Sequence, residues 1–105
     1  MRYNVIEFAD RALFELPVAV IDFETTGVNP QECRAVEVAI VHLNLGRGNA
    51  ELVYSERINP GVAIPEGASD VHGIYDSDVE GCRTFEEMWE DISGLLQGRV
   101  LAAYN

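Results

Sequence analysis

The chain has 105 residues, of which 18 are acidic and 7 are basic, and its formal net charge at pH 7 is −11. This length suits one globular domain, and an apolar fraction of 48% argues against intrinsic disorder. So acidic a chain cannot hold duplex nucleic acid by neutralising phosphates alone, although divalent cations can supply positive charge locally.

The sequence contains no sign of membrane attachment or of cysteine-based stabilisation. No apolar run approaches the roughly 20 residues of a membrane span, and the first residues lack an apolar signal core. We therefore expect a cytoplasmic protein without a membrane partner. Cys33 and Cys82 lie far apart and outside any CxxC pair, which argues against a disulfide framework and a cysteine zinc site.

The first half of the sequence predicts one helix and three strands. Residues 3–15 carry apolar side chains at helical spacing, so we assign 1–16 to an N-terminal helix and 17–105 to the main domain. Pro17 interrupts that helix. Three strands joined by short turns follow, which predicts an antiparallel meander. The strands cover residues 18–23, 35–43 and 51–58.

The second half predicts short helical turns, one longer helix and a returning strand. The helical turns fall at 68–72 and 76–79. Thr84 and Glu87 predict the capping box of a helix whose apolar stripe packs against the core. The stripe consists of Phe85, Met88, Trp89, Ile92, Leu95 and Leu96. Residues 100–104 then predict a fourth, buried strand that runs beside the first, which gives a mixed α/β sheet.

Asp22 and Glu24 are separated by one residue at the end of the first predicted strand. Strand alternation places both carboxylates on one face of the sheet and Phe23 on the other. Two carboxylates held together repel each other, and a divalent cation such as Mg²⁺ relieves that repulsion by binding their oxygens. The same spacing also fits ordinary solvated surface acids, so both interpretations stay open on these two residues alone.

The residues around this pair resemble the first motif of the DEDD superfamily of 3′–5′ exonucleases. The resemblance is strongest to the histidine branch, which includes the epsilon proofreading subunit of bacterial DNA polymerase III. The motif reads VIDFETTGVNP over residues 20–30. Four further segments resemble the family in the same order, so that the resemblance covers residues 17–105. These segments are AVEVAIV (35–41), INPGVAIP (58–65), VHGIYDSDV (71–79) and the stretch 84–105, which ends in Tyr104-Asn105.

The resemblance implies a ribonuclease H-like fold and a catalytic site that binds two Mg²⁺ or Mn²⁺ ions. It implies that Asp22 and Glu24 are catalytic residues and metal ligands, with Asp22 bridging the two ions. It further implies contacts to the substrate from five residues. These are Thr25, Thr26, Gly27, His72 and Asn105.

Several of these residues also have an ordinary structural interpretation. Thr25 and Thr26 fit an ST-turn before a glycine, and His72 fits a structural hydrogen bond. Glu37 lies in an apolar strand, where it fits either a supporting position near the site or a strand-edge acid that faces solvent. Both interpretations stay open for each of these residues.

The sequence also departs from the family pattern. The family requires two further aspartates and, in the histidine branch, a general-base histidine, all of which lie beyond the segment that aligns here. Tyr104 stands where the family has a histidine, and His42 and His72 lie in the wrong segments to replace the general base. We therefore expect a fold that is truncated at its C-terminus and a fragment that is inactive, or nearly so, by itself.

Three functional hypotheses follow. The first is a 3′–5′ exonuclease domain that hydrolyses single-stranded DNA or RNA by a two-metal mechanism, with a DNA polymerase subunit as a further partner and proofreading as its role. The alternative is a non-catalytic module with the same fold that binds a nucleotide or a polymerase. The third is a small acidic interaction domain, which leaves the ordered motif matches unexplained. The oligomeric state is left open.

Overall fold

A computed structural model of the chain describes residues 16–27, 29 and 31–104. The predicted N-terminal helix at 1–16 therefore lies outside the described residues, apart from Leu16, and it stays a prediction. In chain order the described elements are β1 (Pro17–Thr25), β2 (Ala35–Asn44), β3 (Asn49–Arg57), α1 (Glu66–His72), α2 (Asp76–Val79), α3 (Phe85–Leu96) and β4 (Val100–Tyr104).

The four strands form one mixed sheet in the order β3-β2-β1-β4. β1 pairs antiparallel with β2, and β2 pairs antiparallel with β3, which confirms the predicted meander. β4 pairs with β1 in parallel, as the helix between them requires, so the returning strand is also confirmed. β1 is consequently an interior strand with a hydrogen-bonded neighbour on each side.

The larger core cluster lies on one face of the sheet, beneath α3. Alternate residues of β1 and β2 point towards this helix, which inserts Met88 and Ile92 between them. The buried members of this cluster are Ala19, Ile21, Val38, Ile40, Ile58, Met88 and Ile92. A second, separate cluster packs Val36 of β2 against Ile64, Ile74 and Val79, which come from α2 and the loops on either side of α1.

Helix α3 begins as its sequence predicts. The Thr84 side chain accepts a hydrogen bond from the Glu87 N–H at 3.2 Å, and the Glu87 side chain accepts one from the Thr84 N–H at 2.9 Å. This reciprocal pair satisfies two backbone donors that a helix start otherwise leaves without partners. The predicted apolar stripe indeed faces the sheet, apart from Trp89, which is 52% exposed.

Two sequence expectations about the strands are corrected. β1 continues to Thr25 rather than ending at residue 23, so both Asp22 and Glu24 lie within the strand. The turn therefore begins at Thr26, one residue later than predicted. β4 was expected to be buried, but Val100 is 48% exposed and Leu101 is 56% exposed. β4 is the edge of the described sheet and is hydrogen-bonded only to β1 there, so its apolar composition does not translate into burial.

In the described part of the chain, no helix has the length and the apolar composition needed to cross a membrane.

The packing of α3 predicts a large cost for shortening its central side chain. Ile92 is fully buried, so Ile92→Ala should lower the free energy of unfolding by about 2–5 kcal/mol, through lost burial and the cavity left behind. Val71→Ala is the matched control, since Val71 is 84% exposed and should change stability very little. Urea denaturation of both variants measures the difference, and equal stabilities would contradict the described core.

The capping box predicts a pH dependence. The hydrogen bond from the Thr84 N–H lowers the pKa of the Glu87 carboxyl below its usual value. The charged cap therefore stabilises the folded state fully above the ordinary glutamate pKa of about 4.3, and this contribution disappears as the pH falls through the folded-state pKa.

Glu87→Gln should accordingly be less stable than the wild type at neutral pH, and the difference should vanish in acid. Thermal unfolding measured between neutral and acidic pH tests this. Glu86→Gln is the control, because it removes a charge from the same helical turn without touching the cap. A difference for Glu87→Gln that persists unchanged in acid would contradict the charge-dependent cap.

Candidate functional site

The two carboxylates of the predicted motif lie side by side on β1. Asp22 is paired across the sheet with Ala39, and Glu24 with Glu37, so the side chains of Asp22 and Glu24 share one face. Both side chains are partly buried. Phe23 points to the opposite face, where its ring lies 6.1 Å from that of Phe85 in α3. The structure therefore places the carboxylate pair on the face of the sheet opposite α3.

Glu37 adds a third carboxylate on the same face. It lies directly opposite Glu24, where cross-strand side chains begin about 5 Å apart and like charges are unfavourable. On the other side Glu37 is paired with Arg57, whose guanidinium lies 3.8 Å from its carboxylate. Arg57 also lies 3.8 Å from the carboxylate of Asp78 in α2. Of the two interpretations left open for Glu37, the position near the site is the one observed.

The turn after β1 is closed by its own hydrogen bonds. Thr26 is buried, its N–H donates to the Arg34 carbonyl at 2.8 Å, and its hydroxyl accepts from the Arg34 N–H at 2.9 Å. The Thr25 hydroxyl donates to the Gly27 carbonyl at 2.8 Å. Turn chemistry thus accounts for both threonine side chains, while Gly27 is exposed beside the carboxylate-bearing end of β1.

His72 lies at the C-terminus of α1 and contacts β1. Its Nδ1 accepts a hydrogen bond from the Ile74 N–H at 3.1 Å, and its Nε2 lies 3.0 Å from the Thr25 carbonyl oxygen. Because a backbone N–H can only donate, Nδ1 carries no proton in the neutral ring, and Nε2–H donates to Thr25. The structure therefore brings His72 to the site, where both ring nitrogens bond to the protein itself.

The donor set suits a hard divalent cation. Asp22 and Glu24 offer carboxylate oxygens on one face, and Mg²⁺ is typically held by one or two carboxylates together with substrate phosphates and water. Across residues 16–27, 29 and 31–104, no three His, Cys, Asp or Glu side chains come close enough together to hold a metal ion. Asn105 lies outside the described residues and stays a predicted substrate contact.

A cavity of about 630 Å³ opens on the other face of the sheet. Its floor is formed by Phe23, Ile58 and Phe85, and its rim includes Thr25 and Glu86. Since Phe23 and Thr25 alternate with Asp22 and Glu24 along β1, this cavity is separated from the carboxylate pair by the sheet.

Two arginines near the site were not singled out by the sequence. Arg34 closes the turn through its backbone and donates from its guanidinium to the Pro60 carbonyl at 3.2 Å. Arg57 links Glu37 to Asp78. The alternation of side chains along β3 would have placed Arg57 near Glu37 only if the register between β2 and β3 had been known. No local sequence signal indicates that Thr26 is hydrogen-bonded to Arg34.

The sequence of the chain is similar to an exonuclease family and to DNA polymerase III proteins. Residues 19–105 match the family model RNase_T, which is described as Exonuclease. A DNA polymerase III subunit epsilon-like protein of Rhodobacter capsulatus is 34% identical over 98 residues, which cover 92% of this chain and 14% of that protein. The DNA polymerase III PolC-type protein of Thermotoga petrophila is 33% identical over 86 residues, covering 82% of this chain and 6% of that protein. The chain thus spans a small part of either relative.

The fold is similar to solved exonuclease structures. An exonuclease I from Methylocaldum szegediense superimposes with a TM-score of 0.73 at 24% identity, covering 86% of this chain and 20% of that one. The nuclease domain of 3′hExo, a DEDDh family member bound to rAMP, gives a TM-score of 0.62 at 20% identity, covering 77% and 44%. These structures confirm the predicted ribonuclease H-like exonuclease fold, and the family model and the relatives confirm the resemblance to exonucleases related to the DNA polymerase III epsilon subunit.

The closed turn predicts that Thr26 is needed for stability. Thr26→Val keeps the shape of the side chain but leaves the part-buried Arg34 N–H without its acceptor, which should lower the free energy of unfolding by about 1 kcal/mol. Thr26→Ser retains the hydroxyl and should stay close to the wild type. Chemical denaturation compares the three proteins, and a Val variant as stable as the Ser variant would contradict the structural role.

Proposed function

Because the chain belongs to the exonuclease family, we propose that it forms the part of a metal-dependent 3′–5′ exonuclease that carries the first pair of catalytic carboxylates. The enzyme hydrolyses phosphodiester bonds at the 3′ end of single-stranded DNA or RNA. The observation that carries this proposal is the placement of Asp22 and Glu24 on one face of an interior strand.

Asp22 and Glu24 are the residues that would hold Mg²⁺ or Mn²⁺. A pair of such ions, when bound, activates a water molecule and stabilises the leaving 3′ oxygen of the cleaved bond. The chain itself supplies a fixed backbone for these carboxylates, because β1 is paired with β2 beyond Glu24 and with β4 as far as Asp22.

The residues at the end of β1 and directly after it would contact the terminal nucleotide. The backbone from Thr25 to Gly27 begins directly beyond Glu24, and Gly27 is exposed. Thr26 contributes by holding this turn closed, since its hydroxyl and N–H are both bonded to Arg34. The predicted contact from Asn105 completes this set and remains to be tested.

The charge of the chain favours a short single-stranded substrate. With 7 basic residues against 18 acidic ones, the chain lacks the cations that bind a long duplex through its phosphates. A site that takes only the last nucleotides of a strand needs little positive charge beyond its metal ions. We therefore expect this acidic chain to recognise a 3′ end locally, with its metal ions supplying the positive charge.

The relatives support a role next to a polymerase. Both relatives described above carry the name of DNA polymerase III, which supports a polymerase subunit as partner. Proofreading as the role and the cytoplasm as the location stay predictions. Because this chain spans a small part of their length, we propose the activity for the full gene product and not for these 105 residues alone. Near-inactivity of the 105 residues alone likewise stays a prediction.

Removal of either carboxylate should abolish both metal binding and hydrolysis. We expect Asp22→Asn and Glu24→Gln to reduce exonuclease activity by about a hundredfold or more, since even residues that only orient metal ligands can cost that much. The wild type should also gain thermal stability on addition of Mn²⁺, because a ligand that binds only the folded state stabilises it, and both variants should lose this gain. Activity on a 3′-labelled oligonucleotide and thermal unfolding measure the two effects.

Matched controls come from the same chain. Asp70→Asn and Glu90→Gln remove exposed carboxylates from α1 and α3 and should leave activity and the Mn²⁺ effect unchanged. A wild-type protein that gains stability with Mn²⁺ but cleaves nothing would favour the non-catalytic binding module. A protein that neither cleaves nor responds to Mn²⁺ would favour the acidic interaction domain.

A further inference from the structure

The pairing of β1 with β2 is irregular beside the carboxylates. The register shifts between Glu24 and Thr25, so that Glu24 is opposite Glu37 while Thr25 is opposite Ala35. The extra residue is Val36 of β2, which has no partner on β1, and a bulge of this kind disrupts the ladder locally. Contacts that hold the backbone at Thr25 therefore influence the direction of the Glu24 side chain.

His72 supplies that hold from a distant part of the chain. Its Nε2–H donates to the Thr25 carbonyl at 3.0 Å, across 47 residues of sequence. This carbonyl belongs to the residue directly after Glu24 and lies at the register shift. The imidazole therefore satisfies the carbonyl of the first residue beyond Glu24 and holds the Thr25–Thr26 peptide in place.

The imidazole is itself rigidly mounted. Gly73 ends α1 in the left-handed region with φ +74°, a conformation that L side chains rarely adopt, and so turns the chain back past the ring. Ile74 is buried, donates its N–H to Nδ1 of His72 at 3.1 Å, and its carbonyl accepts from the Ser69 hydroxyl at 2.7 Å. With Nδ1 occupied in this way, the ring can turn only by breaking the Ile74 bond.

A second contact ties the same helical segment to the same end of the sheet. Asp78 in α2 lies 3.8 Å from Arg57, which in turn lies 3.8 Å from Glu37 opposite Glu24. These pairs are about half exposed and contribute modestly by themselves. They nevertheless add a second contact between this segment and the end of the sheet that carries the carboxylates.

We propose that His72 is a positioning residue for the metal-binding carboxylates: through the Thr25 carbonyl it holds the register shift that aims Glu24. This inference rests on the proposed function, since it concerns the geometry of the proposed metal ligands. It replaces the expected contact between His72 and the substrate, because each ring nitrogen already has a partner within the protein.

Two amide substitutions at His72 each preserve one of the two hydrogen bonds that the imidazole makes. The side-chain amide of glutamine can place an N–H donor near the position of Nε2 and so reach the Thr25 carbonyl. Asparagine is shorter and can place only its carbonyl near Nδ1, where it accepts from Ile74. His72→Gln thus preserves the bond to β1, His72→Asn preserves the bond within the loop, and His72→Ala removes both.

The experiment measures Mn²⁺ affinity and substrate kinetics of these three variants. We expect His72→Asn and His72→Ala to weaken Mn²⁺ binding by about tenfold, the lower end of the range for residues that orient metal ligands. His72→Gln should bind Mn²⁺ nearly as the wild type does. At saturating Mn²⁺, all three should keep the wild-type KM for the oligonucleotide. Free Mn²⁺ measured by electron paramagnetic resonance gives the affinities independently of activity.

The control is the other histidine. His42 lies on the α3 face and its Nε2 is 2.8 Å from the Leu95 carbonyl, so His42→Gln should leave the Mn²⁺ affinity unchanged. A raised KM in His72→Ala with unaltered Mn²⁺ affinity would overturn the inference and make His72 a substrate contact. Equal loss of Mn²⁺ affinity in the Gln and Asn variants would overturn it as well.

A failure of the proposed metal-dependent function can be distinguished from a failure of the positioning role of His72. If wild-type protein does not bind Mn²⁺ at all, the metal-dependent mechanism is wrong, and amide hydrogen exchange tests the mounting of His72 separately. Exchange at Gly27 and Thr26 should then accelerate in His72→Asn and His72→Ala but not in His72→Gln. Unchanged exchange in all three variants would show that His72 does not hold the end of β1.

Discussion

Mutual repulsion of carboxylates at one end of β1 is the constraint on which the rest of the site depends. Asp22 and Glu24 share a face of an interior strand, and the register of β2 adds Glu37 directly opposite Glu24. Like charges at this spacing oppose folding unless cations compensate them. Arg57 compensates Glu37, which leaves Asp22 and Glu24 as the pair that a divalent cation would neutralise.

The surroundings of this pair resist rearrangement. β1 is bonded to β2 on one side and to β4 on the other, and its opposite face packs against α3 through Ile21 and Phe23. The turn that follows is closed by Thr26, and the strand end is held by His72. A site of this kind keeps its ligands in place before the substrate arrives, which is how preorganised sites avoid reorganisation during the reaction.

Local chemistry allowed much of this to be predicted from the sequence. Period-2 alternation placed Asp22 and Glu24 on one face, the spacing of Thr84 and Glu87 gave the capping box of α3, and the order of motifs gave the fold. The features that escaped prediction depend on register or on distant contacts. The opposition of Glu24 and Glu37 follows from the pairing of two strands, the His72–Thr25 bond joins residues 47 apart, and β4 is exposed despite its apolar composition.

Anomalous diffraction from crystals of the intact protein soaked with Mn²⁺ is the most direct test of the central claim. We expect a manganese peak within bonding distance of carboxylate oxygens from both Asp22 and Glu24, on the face of the sheet opposite α3. Well-ordered crystals in which manganese occupies other acidic positions, and in which the two carboxylates bind only water, would contradict it.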